Sequence, residues 1–390
     1  MLNQDYTTKL LDLEDVVIRD IKNISSELHI YIELPRKEHS CPCCGATTDK
    51  VHDYRDQIIK DIPFGRDTLL HLRKRRYRCT QCGKRFFEKN HFLGRYCRVT
   101  KRLVATIIRS FEKMVSATEI ASRYNVSSVT AMRYFKEVKY KATKLPEVLS
   151  LDEFKGNSGG HKYNSIIADP KNRKVIDICP NRYENDLIHY FSRFPSKSDV
   201  KYFVCDMNPH FRRVASVCFP QALIVADKFH VVRQATWAME NVRKNEQKLL
   251  SEGLRKYFKR SRSLLMKPPE KLKEQEIERL ALMFELVPRL ADAYRVRNEF
   301  ISVIRSESSE IGRPRLLDWL QSVEVMDLPE FKDCTKACYN WFTEILNSMD
   351  VPWTNGFVEG CNNKTKVLKR VCFGMRNFNN FRNRILHCYA

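Results

Sequence analysis

The chain has 390 residues, a formal net charge of +22 and 14 cysteines. No apolar run approaches the roughly 18–20 residues that cross a bilayer, and the N-terminus does not resemble a signal peptide, so we expect a cytoplasmic protein without a membrane partner. Cysteines in a reducing compartment favour metal binding over disulfides. The cationic excess falls in two separated regions, residues 1–146 and 360–390, which favours a polyanionic partner over a merely basic protein.

Two C-x-x-C-G motifs mark residues 1–95 as a zinc-ribbon domain. Thiolates two residues apart in a tight turn can share one Zn²⁺, and two such turns complete a tetrahedron. The predicted ligands are Cys41, Cys44, Cys79 and Cys82. Cys43 is a spare thiol that leaves the choice within the first motif open. Alternating residues over 57–62 and 69–72 predict a small β-ribbon between the motifs.

A basic run over residues 73–78 leads into the second motif. On a strand its cations alternate between two faces, so only some can touch one DNA backbone, and a solvated charge run is the alternative. The zinc site directly after this run would hold the strand in a defined position, which favours contact with DNA phosphates. The candidate DNA-binding residues are Arg73, Arg75, Arg76 and Arg78.

Residues 96–145 are predicted to form a helix-turn-helix domain. A helical stretch covers about 100–115, and a short helix follows over 118–124. Residues 125–127 then form a turn in which Asn125 tolerates the left-handed conformation. Ser127 caps the second helix, whose outward side chains suit DNA contact. The candidates on it are Ser128, Thr130 and Arg133.

After Pro146 the pattern changes to strands and helices in the order βββαβαβ, followed by a long helix. This order matches an RNase H-like core, with its first part over residues 146–240. Residues 241–347 are almost wholly helical and predict an inserted helical domain. Residues 348–390 then supply the last part of the core. The fold class expected is therefore multidomain α/β.

Two acids stand where strands of this core would bring them together. Asp152 lies inside the first strand, and Asp206 ends the fourth. Carboxylates so close repel each other unless a cation lies between them, and oxygen ligands suit Mg²⁺ or Mn²⁺. Glu153 is an alternative for the first position and Asp227 for the second. Isolated strand-end acids without function are the plainer interpretation.

Glu359 is the only acid in the last forty residues. Its segment predicts a helix that begins after a cap at Asn355 and stops near Gly374. A buried stripe would contain Val358, Cys361 and Leu368. A neighbouring face would carry Glu359, Asn363, Lys366 and Arg370. That face suits a metal ion beside a polyanion.

These residues together resemble the DDE transposases of bacterial insertion sequences, in the ISL-three group with an N-terminal zinc ribbon. The resemblance runs from about Cys41 to Leu386. It is carried by 151–154, 205–207, 226–231 and the long motif 355–364 with 369–370 and 373–378. It implies that Asp152, Asp206 and Glu359 are catalytic ligands of Mg²⁺ or Mn²⁺, in preference to Glu153 and Asp227.

The resemblance implies phosphoryl transfer on double-stranded DNA, at transposon ends and in target DNA. The clamps for phosphate beside the metal site would be Lys364, Lys366 and Arg370. Both ends must be held together, so a homodimer or higher synaptic assembly is expected. A catalytically inactive DNA-binding regulator and a structure-specific nuclease are the alternatives on the same fold.

Overall fold

A computed structural model describes residue 13 and residues 15–389. Contacts divide it into two compact units. One contains residues up to 139 together with 370–374, and the other contains residues 140–369 together with 375–389.

The first unit is built on a sheet with the strand order β1-β2-β6-β5, in which β7 also pairs with β6. The strands are β1 Val17–Ile24, β2 Glu27–Glu33, β3 His39–Ser40, β4 Thr47–Thr48, β5 Val51–Asp61, β6 Asp67–Arg78 and β7 Arg85–Phe87. Alternate residues of these strands, such as Ile30, Ile59 and Leu70, are buried in one core. The predicted β-ribbon is therefore the middle of two longer strands, and its pairing with β2 was not foreseen.

Three helices, Lys101–Ser110, Ala117–Arg123 and Ser128–Phe135, follow this sheet. The Ser116 and Ser127 hydroxyls accept hydrogen bonds from backbone N–H groups and cap the second and third helices. Asn125 has a φ of +47° in the turn between them. Stacked Phe111 and Phe135 rings, 4.4 Å apart between centroids, join the first and third helices. The predicted cap and turn are confirmed.

The second unit contains a mixed sheet with the order β10-β9-β8-β11-β12. Its strands are β8 Val148–Phe154, β9 Asn164–Asp169, β10 Lys174–Cys179, β11 Tyr202–Cys205 and β12 Leu223–Ala226. β8, β9 and β10 pair antiparallel, whereas β8, β11 and β12 run parallel. The central strand β8 is buried along almost its whole length, as expected of a strand covered on both faces.

Helices connect and cover these strands. Those within and directly after the sheet are Glu184–Ser192, Pro209–Cys218 and Lys228–Glu246. A helical region follows with Glu252–Arg260, Arg262–Met266, Glu274–Leu286, Pro288–Ile304, Ser309–Glu324, Lys332–Asn340 and Phe342–Asp350. The chain then forms Gly356–Val371, called here the Glu359 helix, and Phe378–His387. Buried side chains from the sheet and from the helical region belong to one continuous core, which includes Leu151, Phe203, Met239 and Phe300.

Candidate active site and zinc centre

The register of the parallel strands brings three acids to the same level of the sheet. Cys205 of β11 pairs with Leu151 of β8 on one side and with Ala226 of β12 on the other. Each of these three residues is followed in the sequence by an aspartate: Cys205 by Asp206, Leu151 by Asp152 and Ala226 by Asp227. The carboxylates therefore meet because parallel strands end at a common edge, as the sequence predicted for Asp152 and Asp206.

The Glu359 helix begins beside this edge because Asn355 ties it to two strands. The Asn355 N–H donates to Asp227 Oδ1 over 3.2 Å, and Ser150 Oγ donates to Asn355 Oδ1 over 2.5 Å. The Asn355 carbonyl accepts the N–H of Glu359 at 2.8 Å. Asn355 is thus the residue from which the helix starts, at the position that the sequence predicted, and its side-chain oxygen accepts from Ser150.

A second amide on this helix points into the site. Asn362 is buried, and its Nδ2 donates to Asp152 Oδ2 over 2.9 Å. Glu359, three residues earlier and close to the same helix face, lines the same pocket of about 270 Å³. Asp152, Asp206, Asp227, Asn362 and Lys366 also line it. The sequence pattern indicated Asn363 as the neighbouring amide, but Asn363 is exposed to solvent.

The electrostatics of the pocket favour a bound cation. Burial raises the pKa of Asp206 to about 7, and the nearby carboxylates of Asp152 and Glu153 act in the same direction. Burial also raises the pKa of Asp152 to about 6, although the hydrogen bond from the Glu153 N–H acts in the opposite direction. Repulsion from the carboxylates of Asp227, Glu153 and Glu359 raises this pKa further. Asp206 Oδ1 is buried and has no hydrogen-bond partner among the described residues. A divalent cation would satisfy this oxygen and remove the repulsion.

The spacing of these acids is looser than that of a closed metal cluster. Among the described residues, the sole group of three or more His, Cys, Asp or Glu ligand atoms within 4.8 Å of one another is made of cysteines. An open carboxylate set is nevertheless the kind that Mg²⁺ occupies, because this ion keeps several water ligands and takes few from the protein.

The two alternative acids are already engaged. Both carboxylate oxygens of Glu153 accept from Arg182 at 2.7 Å. The Asp227 side chain accepts backbone N–H groups of Asn355 and Phe229, and burial raises its pKa. Asp227 therefore holds the start of the Glu359 helix, whereas one oxygen of Asp206, which lines the pocket, has no hydrogen-bond partner among the residues described.

The three predicted phosphate clamps occupy different places. Lys366 lines the pocket. Lys364 instead donates to the Cys388 carbonyl over 2.8 Å, and its ammonium lies 4.4 Å from the centre of the Tyr389 ring. These two contacts anchor residues 388 and 389 to the Glu359 helix. This placement does not suit the clamp suggested for Lys364. Arg370 is exposed in the last turn of the Glu359 helix.

Sequence reasoning missed two basic residues of the pocket wall, His230 and Arg233. His230 ring nitrogens lie 4.0 Å from Asp206 Oδ2 and 3.9 Å from Asp227 Oδ2. Burial lowers the pKa of His230 to about 4, with a smaller effect of Arg233, so the ring is neutral near pH 7. Their positions, one turn and almost two turns after Asp227 on the same helix, were the available signal.

The four predicted cysteines meet in the first unit. Cys41 Sγ and Cys82 Sγ are 3.6 Å apart, and Cys44 Sγ and Cys79 Sγ are 3.5 Å apart. These separations are near the roughly 3.8 Å between sulfurs around a tetrahedral Zn²⁺. A hydrogen bond from the Cys82 N–H lowers the pKa of the Cys79 thiol to about 6, and a weaker effect of the Gln81 N–H acts in the same direction. The lowered pKa favours a thiolate ligand. Cys43 is exposed and does not belong to the cluster.

Comparison with known proteins places these features in one family. A family model described as transposase, of the ISL3 group, matches residues 149–385. The chain belongs to the ISL3 family of transposases. A zinc-finger model of the transposases of IS204, IS1001, IS1096 and IS1165 matches residues 37–82, and the helix-turn-helix model of the ISL3 transposase family matches residues 88–138.

Two transposases are similar to this chain over different lengths. The transposase for insertion sequence element IS1001 of Bordetella parapertussis is 28% identical over 362 residues, which cover 90% of this chain and 88% of the relative. The transposase for insertion sequence element IS1557 of Mycobacterium tuberculosis is 23% identical over 242 residues, which cover 56% and 54% respectively. No helix in the described part of the chain is long and apolar enough to span a membrane.

The basic strand of this transposase does not present all its arginines to solvent. Arg73 and Arg78 are exposed, and Arg76 pairs with Asp53 at 3.2 Å. Arg75 is buried, where it pairs with Glu33 at 3.3 Å and Glu88 at 3.5 Å. The buried positions of β6 change from even-numbered residues up to Leu72 to odd-numbered residues from Arg75, so Arg75 lies on the face opposite to Leu70 and Leu72 and is nevertheless buried. Arg75 therefore holds the sheet together, contrary to the DNA contact that the sequence suggested for it.

The second helix of the helix-turn-helix exposes Arg133, which lies over the Tyr134 ring at 5.4 Å. Ser128 and Thr130 are partly buried at its start. The Ser127 hydroxyl donates to Thr130 Oγ1 over 2.9 Å. Hydrogen bonds of the Ser127 hydroxyl thus hold the first turn of this helix, and Arg133 is exposed to solvent.

Proposed function

We propose that this ISL3-family transposase binds the terminal inverted repeats of an insertion sequence and catalyses metal-dependent DNA cleavage and strand transfer. The observation that carries the proposal is the pocket lined by Asp152, Asp206 and Glu359. These acids come from two strands and a distant helix, and Asp206 has a buried oxygen with no hydrogen-bond partner in the part of the chain that the structure describes. Perturbed carboxylates converging in a pocket are a typical signature of catalysis.

The architecture supports this proposal. Three antiparallel strands followed by two parallel strands, with acids at the shared edge, are the arrangement expected of an RNase H-like core. We propose that residues 146–240 and 348–390 form this core and that residues 241–347 are a helical insertion within it. Residues 1–95 and 96–145 would be the zinc-ribbon and helix-turn-helix DNA-binding domains.

Asp152, Asp206 and Glu359 are proposed to hold Mg²⁺ or Mn²⁺. When bound, the ions would activate water or a DNA 3′-hydroxyl and stabilise the leaving oxygen. Asn362 orients Asp152 through its hydrogen bond, and Asp227 fixes the start of the helix that carries Glu359. Lys366 provides a cation at the pocket wall for the phosphate being cut.

DNA binding is proposed to use both units. Arg73, Arg76 and Arg78 on β6 and Ser128, Thr130 and Arg133 on the recognition helix would contact the repeat, and Arg370 would contact the backbone near the cleaved end. Phosphate contacts of this kind supply much of the affinity and make it salt-dependent. Holding two ends together calls for a homodimer or a higher assembly.

The test uses the full-length chain with DNA carrying the inverted repeats that flank its gene. Glu359→Gln and Asp152→Asn should each abolish Mg²⁺-dependent cleavage and leave DNA binding unchanged. Glu252→Gln, a change at an exposed acid of the helical region, is the matched control and should cleave normally. Cleavage by both pocket variants at the normal rate would refute the assignment.

A second assay separates transposition from simple hydrolysis. Pre-cleaved ends with free 3′-hydroxyls are supplied together with target DNA and Mg²⁺. Joined product is expected from the unaltered chain and not from Glu359→Gln. Cleavage without any joined product would instead support a nuclease on the same fold.

A further inference from the structure

Next to the candidate active site, one face of the helix Lys228–Glu246 exposes two aromatic rings with a guanidinium between them. Phe229 and Trp237 are 51% and 50% exposed. They lie eight residues apart, with Arg233 midway, so the three side chains follow one another along about 12 Å of one helix face. We call Phe229, Arg233 and Trp237 the aromatic stripe.

Arg233 is packed between the two rings. Its guanidinium carbon is 4.6 Å from the centre of the Trp237 ring and 5.7 Å from that of Phe229. Its Nη2 lies 3.1 Å from His230 Nδ1, and its Nε has no hydrogen-bond partner among the described residues. The cation is thus held beside both rings, while Phe229 and Trp237 each remain about half exposed.

The aromatic stripe continues directly from the catalytic pocket. Phe229 and Arg233 line the pocket that contains Asp152, Asp206 and Glu359, and Trp237 lies one turn further along the helix. Large half-exposed aromatic side chains in a soluble protein often mark a binding surface. Here the surface begins where a DNA phosphate would be cut and carries a positive charge.

The depth of the pocket indicates what the rings would bind. Asp152 is only 7% exposed, so a phosphate that approaches it has to leave the regular surface of a duplex. Bases beside that phosphate then lose stacking partners, which costs a few kcal/mol. Aromatic rings restore stacking for any base, and an interleaved cation suits the backbone.

We propose that the aromatic stripe binds unpaired nucleotides of the DNA strand that leaves the active site. The ring of Phe229 stacks on the base beside the scissile phosphate, and the ring of Trp237 stacks on a base further along the strand. The transposase therefore opens the DNA end locally when it cuts. This inference rests on the proposed function, since the scissile phosphate lies at Asp152, Asp206 and Glu359.

The test compares cleavage of two DNA ends by the full-length chain. One end is fully paired, and the other carries mismatches that leave the bases at the cleavage position unpaired. Phe229→Ala and Trp237→Ala should slow cleavage of the paired end by roughly tenfold, because each loses one stacking contact. Their loss on the mismatched end should be smaller. Trp237→Phe, which keeps a ring, should restore most of the rate.

Tyr339→Ala is the matched control, because Tyr339 is also 50% exposed and lies on a different helix, Lys332–Asn340. It should behave like the unaltered chain on both ends. A melting curve for each variant separates a folding defect from a loss of stacking. Equal losses on the paired and mismatched ends, or no loss on either, would overturn the proposal.

Photo-crosslinking provides a direct readout. A 5-iodouracil placed beside the cleavage position should crosslink to Trp237 or Phe229 in a Glu359→Gln background, where the DNA stays intact. Crosslinks confined to other segments would overturn the proposal. The two proposals can be refuted separately. Normal cleavage by Glu359→Gln would refute the proposed function. Normal cleavage by both Ala variants, together with an inactive Glu359→Gln, would refute only the role proposed for the aromatic stripe.

Discussion

The side-chain amide of Asn362 donates a hydrogen bond of 2.9 Å to the buried carboxylate of Asp152, 210 positions earlier in the chain. This bond joins the Glu359 helix to the central strand β8. It also sets the rotation of the helix about its axis, because Asn362 is buried and Glu359 lies three residues before it. Glu359 consequently lines the same pocket as the strand-end acids.

Replacing Asn362 by Ala should impair cleavage without impairing DNA binding. Asp152 would lose a hydrogen bond to a group that ionises, which is worth about 1.5–3 kcal/mol, so cleavage should slow by roughly 10- to 100-fold. The rate is measured on end DNA with Mg²⁺ and affinity by gel shift. Asn363→Ala changes the exposed neighbouring amide and should leave the rate near normal. Equal effects of the two variants would contradict the role of Asn362.

The stability of the metal-free chain should fall as the pH rises from about 4 to about 7 and should level off above that range. Asp206 has a folded-state pKa of about 7 and Asp152 one of about 6, both above the ordinary value of 3.8. A raised carboxyl pKa contributes stability that is present at low pH and is lost as the pH passes the folded value. Melting temperatures with and without Mg²⁺ measure the effect, and Mg²⁺ should stabilise more at the higher pH.

Asp206→Asn is the control for this pH dependence. The variant cannot ionise, so its metal-free melting temperature should decline less between the two pH values and respond less to Mg²⁺. An exposed acid such as Glu252 serves as the comparison, because Glu252→Gln should keep the slope of the unaltered chain. An unchanged slope in Asp206→Asn would show that other groups govern the stability.

Zinc should bind at about one ion per chain and be lost when a clustered cysteine is replaced. Cys79→Ser removes a sulfur from the cluster, whereas Cys43→Ser changes an exposed thiol outside it. Metal analysis should therefore find zinc in Cys43→Ser and a marked loss in Cys79→Ser. Chelation should also unfold the ribbon and weaken DNA binding. Retention of zinc by Cys79→Ser would contradict the ligand set.

Arg75 and Arg73 of β6 should have different roles, the first in the stability of the sheet and the second in DNA binding. Arg75→Ala leaves the buried carboxylate of Glu88 without the cation that pairs with it and removes one of the two arginines, Arg75 and Arg19, that pair with Glu33. It should destabilise the first unit by about 3–5 kcal/mol. Arg73→Ala changes an exposed cation that lies 4.2 Å from the centre of the Tyr54 ring. It should leave stability nearly unchanged, weaken DNA binding and reduce its salt dependence. Chemical denaturation and binding at several salt concentrations measure the two effects. Equal stabilities of the two variants would contradict the assignment.

The features that depend on short spacing could be predicted from the amino-acid sequence alone. The C-x-x-C-G motifs predicted the cysteine cluster, because a tight turn places sulfurs two residues apart at one metal. The cap at Ser127 and the left-handed Asn125 were readable because a helix end is satisfied by its own neighbours. Strand ends also predicted that Asp152 and Asp206 would converge. The resemblance to the ISL-three transposases was carried by motifs of the same local kind, and the family match confirms it.

The pairing of polar groups that are far apart in the sequence could be seen only in the folded chain. In the folded chain Asn362, and not Asn363, donates a hydrogen bond to Asp152, and Asp227 accepts one from Asn355. Arg75 is buried between Glu33 and Glu88. Lys364 donates to the Cys388 carbonyl. Periodicity predicts the face on which a side chain lies, but its partner comes from another segment whose position depends on the packing of the whole core. A buried polar group has to be satisfied by that partner, and burial emerges only when the chain has folded.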